Sequence, residues 1–128
     1  MKRENSILKN LKRNKKTVSS PVRKTNRCFA CLVTCLDIKN AERIAQILVR
    51  EKLASCVNIL GPVKSVYRWG GKICKGREVL LIIKGTFANQ VKMTLKIRSL
   101  HSYEVPEIIF FKIDSGLDKY LSWLITNK

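Results

Sequence analysis

A long β-hairpin is predicted by residues 55–84, SCVNILGPVKSVYRWGGKICKGREVLLIIK. The first strand pattern spans residues 55–69, and Gly61-Pro62 interrupts it, which indicates a bulge and a position at the edge of a sheet. Gly70-Gly71 is typical of a tight hairpin turn. The return strand spans residues 72–84, and its continuous apolar run VLLII (79–83) is typical of a central strand.

Strand and helix patterns alternate on both sides of this hairpin. Residues 28–36 are an apolar run of strand length, and a helix follows whose first turn either Asp37 or Asn40 can cap. The apolar positions of this helix recur at helical spacing and are Ala41, Ile44, Ala45 and Leu48. We therefore predict one strand and one amphipathic helix before the hairpin.

After the hairpin the sequence predicts a helix, a strand and a short last helix. The second helix is predicted from the apolar residues Phe87, Val91, Leu95 and Leu100, with Met93 and Ile97 beside them. The strand spans residues 106–113. The order β-α-β-β-α-β-α with right-handed crossovers predicts an α+β fold, a ferredoxin-like βαββαβ sandwich with an extra C-terminal helix and a long hairpin between its second and third strands.

Basic residues dominate the first 27 positions. Residues 1–27 hold ten Lys or Arg and one acidic residue, whereas residues 28–128 hold the remaining 16 basic and 8 acidic residues. Because residues 1–27 contain no aromatic residue and few apolar ones, we predict a disordered tail, followed by one domain over residues 28–128. The tail could contact nucleic acid or anionic lipid, direct the chain to an organelle, or only add charge, and nucleic acid is the role we favour least.

Several protein classes are excluded by composition. No run of about 18 apolar residues is present, so we predict no membrane span, and no secretory signal pattern is visible. The cysteine count of five is odd, which argues against a disulfide framework and for a reducing compartment. We predict a cytoplasmic protein, unless the basic tail directs it to an organelle.

The chemical groups of the chain do not combine into an obvious site. Cys28 should point to the opposite face of its strand from Cys31 and Cys35, and the latter two lie roughly 13 Å apart at ~3.3 Å per residue, so one zinc ion cannot bridge them. Ordinary core packing is the interpretation we favour for these three cysteines. No phosphate loop or nucleophile motif is present, so we predict that the protein is not an enzyme.

The predicted fold leaves two surfaces without a partner. The helices cover one face of the sheet only, and a hairpin as long as residues 55–84 should project beyond the domain. Such surfaces are unfavourable in a monomer, so we predict a homo-oligomer. The central strand KGREVLLIIKG carries no aromatic residue, so the sheet lacks the base-stacking side chains of an RNA-recognition motif.

Five segments resemble the CutA family of divalent-cation tolerance proteins. They are LASCVNI (53–59), SVYRWGGKI (65–73), EVLLIIK (78–84), HSYEVPEII (101–109) and YLSWL (120–124). The resemblance covers residues 31–126 and implies a trimer in which long hairpins pair between subunits, with copper as a reported ligand. Ser102, Leu36 and Gly70 stand where the family usually has proline, proline and glutamate.

The same resemblance implies the functional residues. Cys56 and His101 match the family positions suited to copper and are the candidate metal ligands. Four further residues would line a cleft between subunits and are Tyr67, Trp69, Lys84 and Glu104. The resemblance therefore implies a homotrimeric divalent-cation tolerance protein that binds copper or another divalent metal and contributes to the response to metal ions. The alternative is a trimeric module that binds a small molecule or a signalling partner, with metal binding incidental.

Overall fold

The structure is a computed structural model and describes residues 20–127. Its elements, in chain order, are β1 (Val22–Lys24), β2 (Cys28–Cys35), α1 (Ile38–Arg50), β3 (Cys56–Trp69), β4 (Lys72–Thr86), a 3-10 turn (Phe87–Asn89), α2 (Gln90–Leu100), β5 (Ile108–Lys112), β6 (Ser115–Leu117) and α3 (Asp118–Thr126). No helix in this described part is long and apolar enough to cross a membrane.

The main sheet is antiparallel throughout and has the strand order β3-β4-β2-β5. Two crossovers, through α1 and through α2, connect its strands, so the predicted ferredoxin-like βαββαβ sandwich with a C-terminal helix is confirmed. The central strands β2 and β4 pair along the whole length of β2, from Cys28 opposite Thr86 to Cys35 opposite Val79. β3 is an edge strand of this sheet, as predicted from its Gly-Pro interruption.

Helix α1 packs on the sheet through the residues that its periodicity predicts. The apolar side chains Ala41, Ile44, Ala45 and Leu48 are all buried. Asp37, rather than Asn40, is the N-cap, because its Oδ1 accepts the Asn40 N–H at 2.8 Å. The Asn40 side chain instead donates to the Leu100 carbonyl oxygen at 3.1 Å and ties α1 to the end of α2.

Helix α2 exists as predicted, but two of the apolar positions named for it, Val91 and Leu95, do not face the core. Its buried residues are Met93 and Ile97, whereas Val91 and Leu95 are 70% and 57% exposed. The reason is the 3-10 turn at Phe87–Asn89, which advances about 120° per residue instead of 100°. The helical spacing counted from Phe87 therefore does not continue into α2.

The second face of the sheet is covered at one end, which the sequence did not predict. Helix α3 buries Leu121 and Leu124 against Cys28 on this face. Beyond that contact the face is open, and Leu60, Ile109 and Phe111 are 44%, 44% and 52% exposed. The uncovered part is thus an apolar surface next to the edge strands.

The N-terminal boundary of the domain differs from the prediction. β1, assigned to the disordered tail, pairs with β6 in a two-stranded sheet, and Arg23 forms a 3.2 Å ion pair with Asp118. The tail assignment is therefore wrong for residues 22–24, because a partner strand more than 90 residues away satisfies their backbone groups. Residues 1–19 lie outside the described part, so disorder there stays a prediction.

The hairpin of β3 and β4 extends beyond the sheet. Its register shifts between Leu60 and Val63 at the predicted bulge, and Gly70 and Gly71 turn the chain at φ of +58° and +76°. Positive φ at both turn residues is the geometry of a tight hairpin that glycine adopts without strain. β2 ends at Cys35, so the outer hairpin, residues 63–78, is a two-stranded ribbon, which we call the distal ribbon.

Candidate functional site

The candidate ligand His101 ends helix α2. Its backbone N–H donates to the Ile97 carbonyl oxygen at 2.9 Å, and its backbone then becomes extended. The ring Nε2 lies 2.7 Å from the Thr34 carbonyl oxygen, and Nδ1 accepts the Tyr103 N–H at 2.9 Å. Since a carbonyl can only accept, Nε2 carries the proton, and both ring nitrogens are used within the chain. His101 therefore ends α2 and fixes the loop that follows it.

Tyr103 extends the hydrogen bonds of His101 to the hairpin. Its hydroxyl donates to Glu78 Oε2 at 2.7 Å. Burial, together with this hydrogen bond to a carboxylate, raises the pKa of Tyr103 well above its ordinary value. The hydroxyl thus stays protonated at neutral pH, and the loop after α2 is held to β2 through Thr34 and to β4 through Glu78.

Cys56 begins the edge strand β3 and lies away from this loop. It is half-buried, its Sγ is 4.0 Å from Asn58 Oδ1, and its cross-strand partner is Lys84. Lys84 also pairs with Ala30, four residues before the Thr34 that holds His101. Four strand residues span roughly 13 Å at ~3.3 Å each, so one chain does not place Cys56 and His101 on the same metal ion.

The three cysteines of β2 lie as their alternation predicts. Cys31 and Cys35 are buried in the main core, and Cys28 is buried on the opposite face under α3. Burial raises the pKa of Cys31 to about 12 and that of Cys35 to about 11, so both thiols are protonated at neutral pH and are poor ligands. Within residues 20–127, no group of three or more His, Cys, Asp or Glu could hold a metal ion.

The predicted cleft residues are spread over the surface of the chain. Tyr67 and Trp69 lie on one face of the distal ribbon and are 49% and 70% exposed. Cys74, the partner of Tyr67, lies ten residues before Lys84 on β4, roughly 33 Å away at ~3.3 Å per residue. Lys84 instead lies over the Tyr120 ring, with Nζ 5.9 Å from its centroid. Glu104 is exposed in the loop after α2. Lys84 therefore does not share the surface of Tyr67 and Trp69 in one chain.

One family of known proteins matches nearly the whole described part of the chain. The model of the CutA1 divalent ion tolerance protein matches residues 29–127. The chain belongs to the CutA1 family. This result confirms the family resemblance of the five segments.

The CutA1-family relatives include bacterial and plant proteins. The divalent-cation tolerance protein CutA of Thermus thermophilus is 41% identical over 96 residues, which cover 75% of this chain and 93% of that protein. The chloroplastic protein CutA of Arabidopsis thaliana is 39% identical over 114 residues, which cover 85% of this chain but only 63% of the relative. The chain thus spans less than two thirds of the plant protein, whose compartment is not transferred to it.

A solved CutA1 structure confirms the fold. The divalent cation tolerance protein from Thermus thermophilus superposes with a TM-score of 0.77 at 39% identity, over 79% of this chain and 98% of that one. The α+β fold is therefore common to both proteins.

Two residues of the site were not predicted from the sequence. The Glu78 carboxylate accepts a hydrogen bond from the Tyr103 hydroxyl, and the Thr34 backbone carbonyl accepts one from the His101 ring. Every residue type has a backbone carbonyl, so the residue type at position 34 does not reveal that its carbonyl accepts this hydrogen bond. Glu78 had a weak signal, since it is the single acidic residue of the hairpin segment 55–84.

Proposed function

We propose that this protein is a homotrimeric divalent-cation tolerance protein that binds copper or another divalent metal ion and contributes to the response to metal ions. The observation that carries the proposal is the family match over residues 29–127, together with relatives named for divalent-cation tolerance. Nothing in the loop geometry requires catalysis, and we propose binding rather than an enzymatic reaction.

The open surfaces of the chain support self-association. Leu60, Ile109 and Phe111 leave an apolar surface on the sheet, and Trp69 and Ile73 are each 70% exposed on the distal ribbon. Burying apolar surface contributes about 25 cal/mol per Å², which favours association of such faces. The number of three copies comes from the family resemblance. The strand β3 supports association because it offers a free edge to which a second hairpin can pair.

Mass measurement in solution tests the assembly. Light scattering coupled to gel filtration should give about 44 kDa, three times the 14.7 kDa of the chain. A species of the monomer mass at micromolar concentration would contradict the proposal. Substituting Ile109→Glu should shift the equilibrium toward monomer, and Val91→Glu, on the outer side of α2, is the matched control.

The metal is assigned to Cys56 rather than to His101. The thiol of Cys56 is half-buried and therefore accessible, and thiolates are the soft ligands that copper, especially Cu(I), prefers. The ring of His101 can bind a metal only by leaving Thr34 or Tyr103. A single chain also supplies no group of three or more ligands among residues 20–127, so the remaining ligands would come from neighbouring copies.

Calorimetric titration with Cu(II), and anaerobically with Cu(I), tests this assignment. Cys56→Ser should weaken copper binding at least tenfold, because a hydroxyl is a poor replacement for a thiolate. Cys74→Ser is the matched control, since Cys74 is the other half-buried thiol and lies on the ribbon. Absence of copper binding by the unmodified protein, or equal binding by Cys56→Ser, would refute metal binding at this position.

The alternative function rests on the two exposed aromatic residues. Tyr67 and Trp69 share one face of the distal ribbon, and side chains of this kind often contact organic ligands. A thermal-shift screen in which an organic compound stabilises the protein but copper does not would favour this alternative, provided that Trp69→Ala abolishes the shift.

A further inference from the structure

Helix α1 presents a stripe of positive charge on the side that faces away from the core. Lys39, Arg43 and Arg50 are all exposed. At about 100° per residue, their side chains point within about 40° of one another. The opposite side of the helix holds its buried residues, Ala41, Ile44, Ala45 and Leu48. The stripe is therefore the outward side of α1.

Helix α2 is apolar on two opposite sides. One side carries its buried residues, whereas Val91 and Leu95 are 70% and 57% exposed. These two residues are one turn apart, and Leu95 points about 160° away from the buried Ile97. Lys92 and Arg98 are exposed and flank Leu95 at about 60° to either side. The outward side of α2 is thus an apolar pair between two cations.

The outward sides of the two helices form one surface. The Asn40 side chain donates to the Leu100 carbonyl oxygen at 3.1 Å, and Lys96 Nζ lies 3.0 Å from Glu51 Oε1, so α1 and α2 are neighbours. We call this surface the helix face, formed by Lys39, Arg43 and Arg50 of α1 and by Val91, Lys92, Leu95 and Arg98 of α2. The assembly proposed above buries the opposite face of the sheet and the hairpin, so the helix face stays accessible in it.

The stability of the helices does not explain the side chains of the helix face. Lys39 and Lys92 lie in the first turns of α1 and α2, where the helix dipole disfavours positive charge. Lys39 and Arg43 are four residues apart, and like charges at this spacing are destabilising. A β-branched residue such as Val91 is not a favourable choice for an exposed helix position.

The charge of the helix face is not balanced within the chain. Helices α1 and α2 contain three basic residues each, and Glu42 is their single acidic residue. No cation of the helix face belongs to an ion pair within residues 20–127. An anionic partner with an apolar layer would compensate both the charge and the exposed aliphatic pair.

We propose that the helix face binds the surface of a bilayer that contains anionic lipids. Lys and Arg side chains are attracted to the negative potential of such a surface, and aliphatic side chains between them enter the boundary between headgroups and acyl chains. The phosphates of a nucleic acid would attract the cations but offer no apolar layer to Val91 and Leu95. The contact is peripheral, since neither helix is long and apolar enough to cross a membrane.

This inference does not rest on the proposed function. The helix face belongs to a single chain and contains neither Cys56 nor any residue of the open sheet face. Copper binding, assembly and bilayer binding can therefore fail independently.

The test is co-sedimentation of the full chain with vesicles of two parts phosphatidylcholine to one part phosphatidylserine, and with vesicles of phosphatidylcholine alone. Each cation near an anionic surface strengthens binding about fivefold. The variant with Gln at Lys39, Arg43 and Arg50 should therefore bind the mixed vesicles about 100-fold more weakly. The matched control has the same net charge and carries Gln at the exposed residues Lys24, Lys112 and Lys119. It should lose less than about tenfold, because charges more than about 10 Å from the surface are screened.

A variant without any change of charge separates a bilayer from other anionic partners. Val91→Gln with Leu95→Gln should weaken binding to the mixed vesicles by about tenfold or more, because each aliphatic side chain loses its apolar environment. Both positions are exposed, so the core is not altered. Val22→Gln with Val105→Gln, at exposed apolar positions outside the helices, is the matched control and should bind as the parent protein does.

A third comparison addresses the basic N-terminal segment. Both helix-face variants are repeated in a background with Gln at Lys9, Lys12, Lys15 and Lys16, and their losses should keep the same size there. Light scattering and thermal unfolding establish that each variant keeps the assembly and fold of the parent protein. If the threefold cation variant does not fold, Arg43→Gln alone should weaken binding about fivefold.

Weaker binding to the mixed vesicles by both helix-face variants, and by neither matched control, is the expected result. Four outcomes would overturn the inference. They are equal or absent binding of the parent protein to the two kinds of vesicle, full binding by the Val91 and Leu95 variant, loss of binding only in the N-terminal background, and tighter binding to a DNA duplex of random sequence than to the mixed vesicles.

Discussion

Replacing His101 by alanine should destabilise the fold by about 1–3 kcal/mol. The substitution removes two hydrogen bonds, from Nε2–H to the Thr34 carbonyl oxygen and from the Tyr103 N–H to Nδ1. Each hydrogen bond contributes about 0.5–1.5 kcal/mol net, and the ring is only half-buried, so water can partly replace the lost partners. The loop after α2 would then be held to the sheet through Tyr103 and Glu78 alone.

Urea unfolding followed by circular dichroism measures this cost. All variants must be compared at one protein concentration, because assembly makes apparent stability depend on concentration. His101→Gln keeps one donor and one acceptor on a similar side chain, so we expect it to lose less stability than the alanine variant. Ser102→Ala, at the exposed next position, should change the free energy of unfolding by less than about 0.5 kcal/mol.

A His101→Ala cost as small as that of Ser102→Ala would refute the loop-holding role. The same variants separate this role from metal binding. If both ring nitrogens of His101 keep their hydrogen bonds in the copper-bound parent protein, then His101→Gln should lower stability but leave the copper affinity unchanged. Copper affinity that falls without a loss of stability would show that the ring leaves Thr34 to bind the metal.

Three further predictions concern Tyr103, the ribbon and alkaline pH. Tyr103→Phe removes a hydrogen bond to the Glu78 carboxylate and should cost about 1 kcal/mol in urea unfolding, and a Glu78→Gln background should reduce that cost. Lys64→Glu turns the repulsive pair with Arg77 into an attractive one and should stabilise the fold by about 0.2–1 kcal/mol; a lower melting temperature would contradict this. Burial raises the pKa of Cys35 to about 11 from an ordinary 9.0. The protonated thiol therefore stabilises the folded state fully below pH 9, and this stabilisation is lost above pH 9 because the thiol of the unfolded chain ionises at lower pH than that of the folded chain. Cys35 should therefore contribute a fall in stability of about 1.4 kcal/mol per pH unit between pH 9 and 11, and Cys31, whose pKa is raised to about 12, should add a fall of its own. Cys35→Ala should make the total slope shallower.

Local patterns in the sequence predicted the elements, and long-range pairings determined what was missed. Gly70-Gly71 and the bulge were predictable because turn chemistry depends on neighbouring residues. The pairing of β1 with β6 was not predictable, since strand β1 has only three residues and its partner is more than 90 residues away. Val91 and Leu95 of α2 lie outside the core because the 3-10 turn before the helix changed the angular position of the residues that follow Phe87.

The sequence named candidate site residues but did not predict how they are arranged. His101 and Cys56 were both identified from the family resemblance, yet the sheet register separates them by about four strand residues. The partners of the His101 ring and of the Tyr103 hydroxyl come from β2 and β4, at separations of 67 and 25 residues. No pattern within a short window contains that information.

The segment HSYEVPEII has a structural role that does not depend on any ligand. Its histidine and tyrosine connect the end of α2 to β2 and β4, so substitutions there disturb the position of the whole loop. A segment of this kind can identify a family by its fold while the metal chemistry lies elsewhere. The half-buried thiol of Cys56 belongs to the edge strand, where a second hairpin can pair. Metal binding, in our proposal, is therefore a property of the assembled copies, whereas the loop is complete in each chain.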